Sequence, residues 1–201
     1  MTDGPSADPD PDPEPEPGAH VLVVDDEPDV ADTQALRLDG RYETSVAYGG
    51  AAALELAGPS VDAILLDRRM PDVHGDEVLA ELRERGYDGV VVMLTAVDPD
   101  LNILDLAFDD YLQKPVDRET LLATLDQHLD PADTDERLAE FFRITSKLQV
   151  LAAEKPTERL DESREYAELK ARAERLEERL RAEMEGFDEV VETYRAISRE
   201  G

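Results

Sequence analysis

The stretch VLVVDDEP, residues 21–28, decides how the first half of the chain is read. Four apolar β-formers, Val21 to Val24, run straight into Asp25, Asp26 and Glu27. Such a run reads as a strand buried on both faces, the kind found in parallel sheets. Its end then carries three adjacent carboxylates. Like charges at that spacing repel, and left alone one of them would stay protonated at neutral pH. Either a cation sits among them or the strand end opens to water.

Working outward from this strand, apolar runs alternate with amphipathic helices. HVLVV is followed by a helix over Pro28 to Leu38, with proline in the first turn, where its missing N–H does no harm. ETSVAY is a second strand and GGAAALELA a short helix. VDAILLD is a third strand, followed by the helix GDEVLAELRERG, closed by Gly86. GVVVMLT is a fourth strand, leading to a helix over Asp98 to Ala107. DDYLQ is a short fifth strand, and DRETLLATLDQHL the fifth helix. This βα alternation predicts an α/β domain over residues 19–130, a five-stranded parallel sheet with helices on both faces and right-handed crossovers.

The chain has 201 residues and a formal charge of −29, from 50 acidic and 21 basic residues. Lysine is scarce, confined to Lys114, Lys147, Lys155 and Lys170. Hydrophobic residues make up 41%, enough to build a core. Such an acid excess with few lysines resembles proteins of salt-accumulating haloarchaea. Its self-repulsion weakens the compact state unless salt screens it. The melting temperature is expected to climb between about 0.1 M and about 3 M KCl, as the screening length shrinks from about 10 Å to about 3 Å or less. A melt that does not move over that range refutes the reading. No cysteine is present, which excludes disulfides, zinc–thiolate sites and thiol nucleophiles. No apolar run approaches the ~20 residues of a membrane span, and no signal peptide is evident, so a cytoplasmic protein is expected. The overall charge argues against non-specific binding to nucleic acid.

Residues 1–18, MTDGPSADPDPDPEPEPG, read as an extended acidic tail, because the prolines block helix and central strand. After DPADTD, at 130–135, strand signals cease. Residues 131–201 read as an all-α helical hairpin or coiled coil. A first helix carries Leu138, Phe141, Phe142, Leu148 and Leu151 and ends near Pro156. A longer second arm carries a three-four seam from Leu169 to Ile197, interrupted at Glu183. Glu168–Arg172 and Glu177–Arg181 have helix-supporting spacing. The shorter helix leaves Phe187, Val190, Val191, Tyr194 and Ile197 without a cover, which predicts a homodimer through the C-terminal helix or a docking contact with the first domain.

In open parallel sheets, ligands bind outside the carboxyl ends of the strands. The first strand ends at Asp25 and Asp26, the third at Asp67, the fourth at Thr95, and the fifth leads to Lys114 and Pro115. Three carboxylates, a hydroxyl and an ammonium are thus expected at one rim. The acids suit a hard, oxygen-preferring cation with open positions, Mg²⁺. A metal, a lysine and a hydroxyl around a nucleophilic carboxylate suit phosphoryl transfer, in which catalysis is mainly positioning and neutralisation. Asp67 follows the most apolar strand and is the best nucleophile candidate. His20, His74 and His128 share no metal-like spacing and read as solvent-facing.

In order and spacing, VDDEP, LLDRRMPDVHG, LTA and DDYLQKP resemble the motifs of response-regulator receiver domains. The resemblance covers about residues 19–130. It implies a flavodoxin-like (βα)5 fold, Asp67 as phosphoacceptor, and Mg²⁺ held by Asp25, Asp26, Asp67 and the backbone carbonyl of Arg69. It further implies Thr95 and Tyr111 as a switch pair, Lys114 as the lysine that contacts the phosphoryl group, a cis peptide bond before Pro115, and a sensor histidine kinase as donor. Three departures stand out. Arg69 places a long cation at the pocket mouth, Val97 is apolar where an acid or amide could orient water, and LAFDDYL lacks the family's usual small glycine. The C-terminal region, through TSKL and SREYAEL among others, resembles the HalX domain of haloarchaeal response regulators.

The leading expectation is a two-component response regulator, a phosphoacceptor that catalyses its own aspartyl phosphorylation and dephosphorylation but is not otherwise an enzyme. A DNA-binding regulator of the same relay is the alternative, although no clustered recognition helix appears and nucleic acid is not an expected partner. A coiled-coil adaptor with a vestigial receiver is another. A Mg²⁺-dependent phosphohydrolase would want a carboxylate where Arg69 stands.

Overall fold

A computed structural model describes residues 18–96, 101–129, 136–184 and 186–197. The acidic tail, Val97 and the 130–135 connection lie outside the described residues. Five parallel strands form one sheet in the order β2-β1-β3-β4-β5. They are β1 (His20–Val24), β2 (Glu43–Ala47), β3 (Ala63–Asp67), β4 (Val90–Thr95) and β5 (Asp110–Gln113). Helices α1 (Pro28–Leu38), α2 (Gly50–Leu56), α3 (Gly75–Glu84) and α4 (Arg118–Leu129) connect or follow them.

The strand residues divide by parity, as the two-residue period of a strand requires. Val21, Val23, Leu65, Val92 and Leu94 join Leu38 of α1 and Leu121 and Leu125 of α4 in one core. Leu22, Val24, Ile64, Leu66, Val91 and Met93 join Ala53 of α2 and Val78, Leu79 and Leu82 of α3 in the other. All five residues of β3 are buried, as a central parallel strand demands.

The link between β4 and β5 differs from the expected helix over Asp98 to Ala107. Its described part holds a 3-10 turn over Leu101–Asp105. A partner of this segment lies some forty positions further along. The Lys147 ammonium donates to the carbonyl of Leu104 at 3.2 Å and to that of Leu106, so these oxygens answer to a distant cation. The same ammonium stands 4.9 Å from the centre of the Phe108 ring. Burial pushes its pKa down to about 8.

Lys147 belongs to α5 (Glu136–Glu154), the first helix of the C-terminal region. α5 packs on β5 and on the 3-10 turn. Beyond it come α6 (Thr157–Asp161), α7 (Arg164–Glu183) and α8 (Phe187–Ile197). Leu151 of α5 and Leu160 of α6 are buried in the same core as Ile103, Phe108 and Tyr111. The C-terminal helices thus contribute to the core on the sheet's second face. Ser146 donates to Asp110 at 2.6 Å and Arg143 to Asp109 at 3.2 Å, which stitches α5 to the start of β5.

The second arm is not one helix. It breaks after Glu183, and Gly186, at φ +84°, takes the left-handed conformation that glycine adopts freely. α8 then packs against α4 and α7. Phe187 is 1% exposed and Val191 5% exposed, both in a core with Leu138, Phe141 and Leu180. Of the expected uncovered stripe, Phe187 and Val191 are therefore covered by the chain itself, and Val190 is partly buried. The side chains of Tyr194 and Ile197 lie outside the described residues. Arg181 pairs with Glu177 as expected, whereas Arg172 reaches across the hairpin to Glu140 at 2.5 Å instead of pairing with Glu168. No described helix is long and apolar enough to cross a membrane.

Candidate functional site

Register brings the expected rim together. Asp67 pairs with Leu94, so Thr95 stands one step beyond it on the neighbouring strand. Thr95 in turn pairs with Gln113, which places Lys114 just outside β5. The Lys114 ammonium lies 2.5 Å from Asp25 Oδ2 and 2.5 Å from Asp67 Oδ1. One cation thus bridges the ends of β1 and β3, which answers the charge problem posed by the sequence. The peptide bond between Lys114 and Pro115 is cis.

Asp67 is 6% exposed. Burial drives its carboxyl above the ordinary carboxylate range, and the Lys114 contact pulls it back only in part. Burial would lower the Lys114 pKa, but its hydrogen bonds to Asp25 and Asp67 outweigh that and raise it. The second oxygen of Asp67 accepts the backbone N–H of Arg69 at 2.7 Å. The Arg69 side chain is exposed. Asp25 also accepts the N–H of Glu27, at 3.0 Å, and Asp26 is half-exposed. Among the described residues, no three carboxylate or imidazole groups gather closely enough to hold a metal.

Gly75 fixes the loop after Asp67 by close approach. A Cβ there would stand 2.3 Å from the Asp67 carbonyl oxygen and 2.8 Å from Arg68 Cα. Gly75→Ala is therefore expected to displace that loop and cost about 2 kcal/mol or more, read as a lowered melting temperature. A variant melting like the parent would contradict the close approach.

Thr95 is buried, and Tyr111 is 4% exposed with its ring turned inward beside Phe108, at 5.7 Å between centroids. Burial raises the Tyr111 pKa, and the neighbouring Thr95 and Arg68 side chains restrain the rise. Sequence reasoning passed over Arg68, which is held by two bonds to Asp76, at 2.9 and 3.0 Å. The available signal was a cation directly after the central aspartate, with an acid in the first turn of the next helix.

Two histidines depart from expectation. His128 is buried and bonds Asp110 at 3.0 Å; burial lowers the imidazole pKa, but the Asp110 hydrogen bond and the Asp110 and Asp109 charges together raise it. The His20 ring contacts Ser45 Oγ at 2.7 Å and the Ser60 carbonyl at 3.0 Å. His74 is exposed as expected.

With the sheet order, the rim acids and the lysine in place, the relatives can be compared. Residues 21–126 match the response regulator receiver domain, and residues 130–198 match the HalX domain. The chain belongs to the response-regulator receiver family and carries a HalX region as its C-terminal module. It is 43% identical over 155 residues to a putative transcriptional regulator of Haloferax volcanii, which covers 77% of this chain and 26% of that protein. It is 43% identical over 108 residues to the transcriptional regulatory protein CutR of Streptomyces coelicolor, covering 51% of this chain and 50% of CutR. The chemotaxis protein CheY4 of Vibrio cholerae superposes with a TM-score of 0.52 at 30% identity, over 56% of this chain and 99% of CheY4. The chain thus spans about a quarter of the Haloferax protein and about half of CutR.

Proposed function

We propose that this chain is a two-component response regulator that accepts a phosphoryl group on Asp67 from the phosphohistidine of a sensor kinase. The observation that carries the reading is the buried Asp67 carboxylate facing the Lys114 ammonium at the carboxyl edge of the sheet. An Asp67 oxygen attacks phosphorus, the P–N bond breaks, and the imidazole leaves with the electron pair. Lys114 neutralises charge on the transferring oxygens, and the Thr95 hydroxyl receives one of them. Tyr111, on the strand beside that of Thr95, passes the change to the face of the sheet on which α5 sits.

Asp25 and Asp67 offer two carboxylates that already converge on one cation, and Asp26 follows in the chain. This all-oxygen set fits a small hard dication, so Asp25, Asp26, Asp67 and the Arg69 carbonyl are the proposed Mg²⁺ ligands. When bound, Mg²⁺ supplies charge neutralisation between the acids and the incoming phosphoryl oxygens. The C-terminal helices are the proposed output element. The Haloferax and Streptomyces relatives are named as transcriptional regulators. A nucleic-acid partner would enter through a region beyond the receiver, and the interleaved acids and arginines of α7 do not favour it.

The test is intact mass after incubation with acetyl phosphate and Mg²⁺ in molar KCl. The parent chain is expected to gain one phosphoryl group and Asp67→Asn none. Equal uptake by the two proteins would move the acceptor elsewhere.

A further inference from the structure

A cavity of about 500 Å³ lies between the receiver and the C-terminal helices, within the size range of small-ligand sites. Its walls come from α3, the segment entering β5, α5 and α7. Asp88 just precedes β4 and Asp109 just precedes β5, so the cavity sits at the amino edge of the sheet, opposite Asp67 and Lys114. Its charge balance differs from that of the chain. Over the whole sequence 50 acids face 21 basic residues, yet here Arg83, Arg143, Lys147 and Arg172 meet only Asp88, Asp109 and Glu140. Asp88 is exposed, where salt screens it. The other two acids are already engaged. Asp109 accepts from Arg83 at 2.7 Å, from Arg143 at 3.2 Å and from the Val91 N–H at 2.8 Å. Glu140 pairs with Arg172 at 2.5 Å. The donors have capacity left. Arg143 uses one N–H group on Asp109, and its others have no partner among the described residues. Lys147 is 9% exposed and rests on two carbonyls, with no carboxylate partner among the described residues. Arg83 is held by the carbonyls of Tyr87, Gly89 and Ala107 and forms a fixed positive wall. Three cations around the single carboxylate of Asp109 leave a local excess of positive charge. Leu104, Ile144 and Leu169 supply apolar lining beside them.

We infer that this cavity is a binding site for a small organic phosphate, with its phosphate group on Arg143 and Lys147 and its apolar part against Leu104, Ile144 and Leu169. A phosphomonoester carries close to two negative charges at neutral pH, which matches the local excess. A guanidinium fork and a point-charge ammonium are the usual pair of donors for such a group. The Lys147 ammonium, weakened by burial, gains from any anion that reaches it. Because α5 and α7 supply one side and the receiver the other, the ligand bridges the two halves and holds the C-terminal helices to β5. The site is independent of the proposed chemistry at Asp67.

The experiment is calorimetric titration of the full chain in molar KCl without Mg²⁺. The probe is phenyl phosphate, which joins one phosphate to one apolar ring, with inorganic phosphate and phenol as its two halves. The parent is expected to bind phenyl phosphate saturably at one site, inorganic phosphate more weakly and phenol not at all. Arg143→Gln and Lys147→Gln are each expected to weaken phenyl phosphate binding by about ten-fold or more, the worth of one hydrogen bond to a charged group. Arg143 is partly exposed, so its variant carries the test if Lys147→Gln does not fold. Lys114→Gln, at the opposite edge of the sheet, is expected to bind as the parent does. No saturable binding by the parent overturns the inference. So does binding that Arg143→Gln and Lys147→Gln leave unchanged, or that Lys114→Gln abolishes, which would move the phosphate to the Asp67 edge. Phenyl phosphate binding no tighter than inorganic phosphate overturns the organic class of the ligand.

Discussion

Leu151→Ala is expected to lower the melting temperature of the whole chain by about 10 °C, although Leu151 lies in the C-terminal region. The side chain is completely buried, and its neighbours are the receiver's own Phe108 and Tyr111 cluster. Truncating a buried leucine removes its transfer free energy and leaves a cavity, at a cost of about 3 kcal/mol. For a chain of this size, each kcal/mol moves the midpoint by about 2–4 °C. Leu36→Ala is the control, because Leu36 is 73% exposed and its truncation should change little. Melts are compared at one fixed molar KCl concentration. If Leu151→Ala melts within a degree or so of the parent, α5 is not seated on the sheet in solution.

The second large effect is expected at Lys114. Its ammonium is the cation shared by Asp25 and Asp67, and its side chain is only 17% exposed. Lys114→Ala leaves two buried carboxylates facing each other without compensation, which costs about 3 kcal/mol near neutral pH. The loss has a pH signature. The Asp67 pKa is already raised in the folded chain, and Lys114 is what holds it down. A carboxyl whose folded pKa lies above its unfolded value favours the folded state when protonated. That contribution is complete below the unfolded pKa and is lost as pH rises through the folded one. Removing Lys114 raises the folded pKa further, so the window of loss extends to higher pH. The Lys114→Ala melt, without Mg²⁺, should therefore recover toward the parent as pH is lowered from 7 toward Asp67's ordinary range. Phosphoryl uptake should also slow by on the order of 10²-fold, the usual effect of removing one well-placed donor. A gap between parent and variant that is the same at every pH would mean that Lys114 does not control the Asp67 charge.

The sheet was legible because its strands are buried on both faces, so VLVV, AILL and VVVML carry long apolar runs that helices rarely mimic. The rim was legible for a related reason. Charged and hydroxyl residues directly after such runs can only sit at the carboxyl edge. What stayed hidden depends on contacts between distant positions. The carbonyls of Leu104 and Leu106, at and just past the 3-10 turn of Leu101–Asp105, accept from Lys147, and no local pattern announces that. Phe187 and Val191 continue the three-four spacing of α7 in phase, so the heptad reading ran across the break at Gly186. The glycine was the available signal, and the periodicity drowned it. His128 was read as solvent-facing because nothing nearby in sequence indicated Asp110 as its partner. Arg68 was overshadowed by Arg69, the more conspicuous departure from the family pattern.

The seating of α5 on β5 and the 3-10 turn has a consequence for how such chains can be recombined. A receiver that covers this side of its sheet with its own helix is self-contained and can be joined to many outputs. Here the seat belongs to α5, and Leu151, Ser146 and Lys147 are fitted to it. The two halves therefore fit one another as a matched set. Exchanging either for its counterpart from a chain with a full-length helix at this position would put two helices in one seat, or none.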